Sequence, residues 1–393
     1  MLSPNDSLFI GSNPRPVVAA SAAGRDNHQK DAAITKQPWL QWVNQTSATV
    51  VVETTAGVLV QVEVYETARV QVVRGTGFPG QASGAQLAVE DATIRSFRGK
   101  HVVSPNGNWV HKIPLHSLKT YTTYNYCVCL VSVIDHGPGV GSKAMRSDVF
   151  PFRTAPPHDA NVAFSFAACA EFGGSGTDQW NRELFEVMSG LRPDLLLFCG
   201  DVVSNGGNAA DWSRYFFGPG EQLLARTPFF ITPGNHEELH ATGGDTGLWE
   251  GPGAMFFSQL VHQPPHHNFF CFQWGNAKFI ALDSTALATT GGNGARMRHG
   301  AFVPGAEQYD FLIKELAKAK ANNTCVWTIV FLHFPMFVSA DYQVDCMQAI
   351  CPILEGSGVD LVLMSHSKPH DTPIAIDCKL LGRCIQSMST DAS

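Results

Sequence analysis

Apolar residues fall into two textures along this chain. Between Trp39 and Arg153 they alternate with polar ones. "VLVQVEVY" (58–65) places Val60, Val62 and Val64 on one side and Gln61 and Glu63 on the other, and "TYNYCVCLVSV" (123–133) does the same with Tyr124, Tyr126, Val128 and Leu130. A period of two is the signature of a strand with one buried face. Short strands of this kind, separated by glycine-containing breaks, predict a small antiparallel β-sandwich.

Past the stiff linker "RTAPPHDAN" (153–161) the apolar runs become continuous. "VAFSFAAC" (162–169), "DLLLFCGD" (194–201), "TPFFITPGNH" (227–236), "KFIALDS" (278–284), "VWTIVFLH" (326–333) and "VDLVLMSH" (359–366) read as strands buried on both faces. Helical patterns fall between them. "DQWNRELFEVMSG" (178–190) puts Trp180, Leu184, Val187 and Met188 on one face, while "EQYDFLIKELAKAKA" (307–321) and "QVDCMQAI" (343–350) read as two further helices. Strands alternating with helices predict an α/β layer architecture covered on both faces.

Composition narrows the classes. The 393 residues are 44% hydrophobic and 16% charged, with a net charge of −7. That excludes a disordered chain and carries no basic patch for nucleic acid. No apolar window is long enough for a membrane span, and nothing near the start reads as a signal peptide. Residues 1–37 read as a flexible leader. Of ten cysteines, Cys127 and Cys129 sit two apart on a predicted strand and point the same way, while Cys346/Cys351 and Cys378/Cys384 are candidate local bridges whose pairing the spacing leaves open. Asn5, Asn44 and Asn322 begin N-x-S/T triplets, which would make a secreted form a glycoprotein.

What terminates the predicted strands is more informative. "LLLFCGD" ends in Asp201, "FFITPGNHE" in Asn235, His236 and Glu237, "TIVFLH" in His333 and "LVLMSH" in His366. Singly, each has an ordinary reading: a turn, a cap or a rim histidine. Together, they place two imidazoles, an amide oxygen and a carboxylate at the carboxyl ends of strands, where α/β sheets build their sites. That ligand mix suits Fe, Zn or Mn.

The blocks "GDVVS", "GNHE", "VFLH" and "SHSK" resemble, in order and spacing, the signature of calcineurin-like metallophosphoesterases, and "FLHFPMF" with "GNHEE" is most similar to the purple acid phosphatases among them. "WVNQTSATVVV" and "SDVFPFRTAPP" resemble the start and end of the fibronectin-III-like domain that precedes the catalytic domain in that family. The resemblance implies a fibronectin-III-like sandwich over 38–155 and a four-layer α/β/β/α domain over 160–393, the latter shortened at its C-terminus. It implies a secreted or extracytoplasmic protein that hydrolyses phosphate esters, most like an acid phosphatase acting on monoesters. Two metals would be bridged by Asp201, with Asn235, His333 and His366 completing one of them. His236 would contact the phosphate and act as general acid, with Glu237 beside it lending charge.

The second metal departs from the family pattern. Glu171 stands in "AEFGG" where an aspartate is usual, Ser204 where a tyrosine is, and Lys368 where a second histidine is. A lysine ammonium has donors only and does not ligate. In an extended chain Lys368 faces the second position, and His370 lies one pleat further on. One metal site is therefore expected, with Glu171 as the candidate ligand of a compromised second one and Lys368 supplying positive charge to the phosphate in its place. Because no tyrosinate is available at position 204, no purple charge-transfer band is expected. The alternative is a non-catalytic relative that binds a phosphorylated ligand or partner. Substrate identity and oligomeric state are not encoded in these motifs.

Overall fold

The computed structural model describes residues 32–66, 93–131, 144–174, 176–238, 252–263, 268–285, 289–290, 295–296, 304–337 and 345–366. The leader up to residue 31, Asn5, Lys368, His370, Cys378 and Cys384 lie outside them.

The alternating front region forms β1 (Ile34–Gln41), β2 (Ala48–Thr54), β3 (Leu59–Glu66), β4 (Arg95–Arg98), β5 (Lys100–Val103), β6 (Trp109–Leu115), β7 (Thr123–Val131), β8 (Ala144–Arg146) and β9 (Phe150–Arg153). Its first strand begins at Ile34, inside the stretch read as leader. Strands β4–β3–β7–β8 form one antiparallel sheet, with β9 also pairing β7. Its even-numbered residues Val60, Val62, Val64, Tyr124, Tyr126, Val128 and Leu130 enter the core, as the alternation predicts. They meet Leu40, Val50, Val52, Ile113 and Leu115 from β1, β2 and β6.

In the second half the continuous apolar runs become β10 (Phe166–Cys169), β11 (Leu195–Phe198), β12 (Phe229–Ile231), β13 (Phe270–Trp274), β14 (Ala277–Ala281), the two-residue strands β15 (Thr289–Thr290) and β16 (Ala295–Arg296), β17 (Trp327–Phe331) and β18 (Leu361–Leu363). The helices are α1 (Asp178–Leu191), α2 (Ala209–Asp211), α3 (Gly218–Leu224), α4 (Asn235–Glu238), α5 (Pro252–Leu260), α6 (Glu307–Ala321) and α7 (Cys351–Gly356). A π-helical segment, Trp212–Phe217, joins α2 to α3, and the stretch predicted as a helix before 351 is a 3-10 turn, Asp345–Ile350.

Two sheets face each other. One runs β10–β11–β12–β1–β2–β6–β5 and the other β13–β14–β17–β18. Leu195, Leu197 and Phe230 of the first pack with Phe270, Phe279 and Phe331 of the second. On the outer side of the first lie Phe185 and Met188 of α1 with Trp212 and Phe216, and on that of the second Leu312 and Leu316 of α6 with Leu354 of α7. This is the four-layer α/β/β/α arrangement. The first sheet draws strands from both halves of the chain: β12 pairs in parallel with β1 at Gln41 and Phe229. Side chains reinforce that junction. Trp39 Nε1 donates to the Leu260 carbonyl at 3.1 Å, Tyr126 Oη donates to the Ala225 carbonyl at 2.8 Å, and the rings of Trp39 and Phe217 are 4.4 Å apart.

Two expectations need correction. Helix α1 buries Asn181, Phe185 and Met188, whereas Trp180 and Val187 are 48% and 56% exposed. The helix is turned because Phe185 joins the ring cluster of Phe172, Phe198 and Phe216, and Asn181 Nδ2 donates to the carbonyls of Phe172 and Tyr215. A buried asparagine that satisfies two backbone oxygens defines the inward face, which an apolar count misses. Cys351, the candidate partner of Cys346, is a free thiol 3.2 Å from Met336 Sδ.

Helix α6 is tied to β14 by charge. Lys278 Nζ lies 2.6 Å from Glu315 Oε2, and Lys318 Nζ 2.6 Å from Oε1. Burial pushes the Glu315 carboxyl up, but hydrogen bonds from Lys278, Lys318 and Cys271 outweigh it and hold the group at about 2. A carboxyl depressed on folding stabilises above its unfolded value near 4.5, and that stability is lost as pH falls toward 2. The contribution is roughly 1–2 kcal/mol once solvent around Lys318 is allowed for. Urea midpoints at about pH 6 and about pH 3 are expected to separate wild type from Glu315→Gln clearly at the higher pH, with the gap narrowed at the lower and closing only below about pH 2.

Candidate metal centre

Five strands of the two facing sheets deliver polar residues two to four positions beyond their ends: Glu171 after β10, Asp201 after β11, Asn235 after β12, His333 after β17 and His366 after β18. Strands β10, β11 and β12 are mutually parallel, as are β14, β17 and β18. Their carboxyl ends therefore open toward common edges, and the loops meet there.

The loops are drawn unusually close. A Cβ on Gly234 would fall 2.1 Å from Asp201 Oδ1, and one on Gly200 would fall 2.7 Å from His333 Nδ1. Only glycine fits at either position. Three of the polar residues, Glu171, Asp201 and His366, adopt left-handed backbone with φ of 62°, 53° and 70°. Such conformations cost energy for a residue with a Cβ and persist where surrounding contacts hold them.

His333 is the hub. It is fully buried, and its Nδ1–H donates to the Cys199 carbonyl at 2.8 Å, which leaves Nε2 pointing inward. Around Nε2 stand Asn235 Oδ1 at 3.1 Å, His366 Nδ1 at 3.1 Å and Asp201 Oδ2 at 3.2 Å. Two oxygen acceptors and two imidazole nitrogens thus converge on one point. A cation about 2.0–2.2 Å from each ligand would space neighbouring ligands about 3–3.5 Å apart, the separation that His333 Nε2 keeps from the other three. The donor set fits a metal such as Fe, Zn or Mn. The electrostatics agree. Burial opposes the charged form of His333, yet the Asp201 and Glu171 carboxylates outweigh it and push the imidazole up to about 9. The pocket favours positive charge.

The remaining predicted residues take different places. His236 donates from its backbone N to Asp201 Oδ1 at 3.0 Å and from Nδ1 to the Ser204 carbonyl at 2.6 Å. Its Nε2 lies 3.9 Å from Asp201 Oδ2, and its side chain is 40% exposed. Its side chain thus reaches outward. Burial lowers its basicity, but the Asp201 carboxylate and the Ser204 carbonyl more than compensate, so the imidazole sits above its usual range. Ser204 enters the site through its backbone oxygen.

Glu171 Oε1 accepts from Ser365 Oγ and from the His366 backbone N–H, both at 2.9 Å. It lies 3.9 Å from His333 Nδ1 and so flanks the cluster of Asp201, His333 and His366. Burial and the nearby Asp201 charge raise its carboxyl above the usual range. Lys368 and His370, the residues facing the second position in the sequence reading, lie outside the described residues.

Glu237 differs most from expectation. It is wholly buried and turned away from any substrate space. Its two oxygens accept from four backbone N–H groups: Asp201 at 2.8 Å, Val202 at 2.8 Å, Val203 at 3.3 Å and Gly234 at 2.6 Å. Gly206 N–H donates to the His236 carbonyl at 2.8 Å and completes the lacing. Glu237 thus fixes the Asp201 loop against the Asn235 loop. Sequence reasoning missed this role, because a glutamate after "GNH" looks like surface charge.

Residues 164–369 match the calcineurin-like phosphoesterase family, more than half of the chain. The chain belongs to that family, whose members use divalent metal. Among solved structures it is similar to a purple acid phosphatase, PPD1, from yellow lupin (Lupinus luteus) seeds. The two are 13% identical with a TM-score of 0.62, covering 84% of this chain. The chain spans 57% of that protein's length. At this identity the likeness shows the fold, a metallophosphoesterase sandwich with a strand-rich front region. Two partial matches, the sensor domain of the anti-sigma factor RsgI4 of Pseudobacteroides cellulosolvens (13% identity, TM-score 0.18, 34% of this chain and 96% of that one) and the vertebrate Astrotactin-2 (12%, 0.18, 40% and 25%), carry no argument. No curated protein matches the sequence. Among the described residues no helix is long and apolar enough to cross a membrane.

Proposed function

We propose that the chain is a metal-dependent phosphomonoesterase of the acid phosphatase kind, with one principal metal position formed by Asp201, Asn235, His333 and His366. The observation that carries this is the convergence of four lone-pair donors on one point at the strand ends. A divalent ion held there supplies positive charge for a phosphoryl group and lowers the pKa of water. His236, exposed beside Asp201 and anchored through Nδ1, is suited to contact the phosphate through Nε2 and to protonate the leaving oxygen. Glu171 flanks the cluster and is the candidate ligand for any weaker second ion. We place the front β region, about 38–155, as the fibronectin-III-like partner of the catalytic region from about 160 onward, and the protein outside the cytoplasm.

Elemental analysis of the purified chain alongside hydrolysis of a generic phosphomonoester tests this. Bound metal is expected, with turnover that disappears on chelation and returns when zinc, iron or manganese is restored. A metal-free chain without turnover under any of these ions would sink the hydrolase reading. It would leave binding of a phosphorylated ligand in its place.

A further inference from the structure

A second cluster of ligating side chains sits on a different sheet, on the face turned away from the core. Register alone brings it together. On β7, Cys127 and Cys129 are two residues apart and so share a face. Across β3, Glu63 lies opposite Cys127, and across β8, Arg146 lies opposite Cys129. Directly opposed residues have adjacent side chains. The even-numbered neighbours Val62, Val64, Tyr126 and Val128 all point into the core, which leaves these four on the other face.

The distances are those of a small cage. Cys127 Sγ is 4.0 Å from Cys129 Sγ and 3.9 Å from Glu63 Oε2. Arg146 Nη1 is 2.7 Å from Glu63 Oε2 and 3.8 Å from Cys127 Sγ. Both cysteines are free thiols, and they are only 4% and 3% exposed although they face away from the core. Glu63 and Arg146 form the open side, since the arginine side chain is 56% exposed. Tetrahedral zinc with bonds of about 2.3 Å holds two sulfurs about 3.8 Å apart, close to the separation found here.

We infer that Cys127, Cys129 and Glu63 form a binding site for a soft divalent cation of the zinc class, separate from the centre at the strand ends. The charges balance. Binding releases both thiol protons to solvent. A dication with two thiolates and one carboxylate then carries a single negative charge, which the Arg146 guanidinium neutralises from the outer side. Three protein ligands drawn from two strands would pin β3 to β7 and leave a fourth position open.

Cadmium is the probe, because cadmium–thiolate charge transfer absorbs in the ultraviolet, while a nitrogen and oxygen centre gives no such band. Titrating the full chain with Cd²⁺ is expected to produce that band, and to lose it in Cys127→Ala and in Cys129→Ala. Glu63→Gln is expected to weaken apparent affinity by about tenfold. A band that survives in the Cys127→Ala/Cys129→Ala double variant, or no band in the wild type, overturns the assignment. Should those variants fail to fold, cadmium NMR of the wild-type chain decides. A resonance in the downfield range reached by two-thiolate ligation supports the site, and its absence removes it.

Discussion

Replacing Glu237 by alanine is expected to lower folding stability by roughly 4 kcal/mol or more. The residue is fully buried and ties two loops of the site together. Four backbone N–H groups converge on its two oxygens in a fully buried setting. Each orphaned buried donor costs roughly 1–3 kcal/mol, and a methyl group offers none of them an acceptor. Glutamine is no substitute. It retains one accepting oxygen but turns an NH₂ group toward N–H donors. Both variants are expected to shift the urea midpoint steeply downward and to co-purify with less metal, because Asp201 and Asn235 lose their common tether. A loss below about 1 kcal/mol in Glu237→Ala would show that water substitutes for the carboxylate and that the tether is dispensable.

The second large effect belongs to His333→Ala. Nε2 of this residue is the atom from which Asp201, Asn235 and His366 are each 3.1 to 3.2 Å distant. Removing the ring leaves a carboxylate, an amide oxygen and one imidazole around a hollow. Metal affinity is expected to fall by more than about a hundredfold, beyond the usual effect of losing an outer-shell partner. Phosphomonoester hydrolysis should fall with it. Competition with a metal-sensitive dye measures the first, and a steady-state assay in excess metal measures the second. Unchanged affinity would mean that the ion is held elsewhere. Asp201→Asn separates charge from geometry at the same place. It keeps an oxygen in position and removes the anion that most favours positive charge on His333.

Much of the candidate site is legible in the sequence. Asp201, Asn235, His333 and His366 each close an apolar strand, and the rule that α/β sites lie at strand carboxyl ends is enough to bring them together. What escaped was set by partners distant in sequence. Glu237 acts through N–H groups of residues 201–203, which no local pattern reveals. The inward face of α1 is marked by a polar residue, Asn181, which binds carbonyls supplied by Phe172 and Tyr215. Cys127 and Cys129 were seen to point the same way, but Glu63 and Arg146 join them only through strand register. The pairing of Gln41 with Phe229 likewise joins segments that alternation and helical period treat as separate.

That pairing bears on the edge of the sheet that carries the candidate site. Strand β12 carries the Asn235 loop, and β1 occupies its free side. Severed at the 153–161 linker, the phosphoesterase half would present β12 as a bare outer strand, with its hydrogen-bonding groups unpaired and the surface that Trp39 and Tyr126 now cover open to water. Such an edge is a template for recruiting other strands. The front region therefore covers the edge that β12 would otherwise expose.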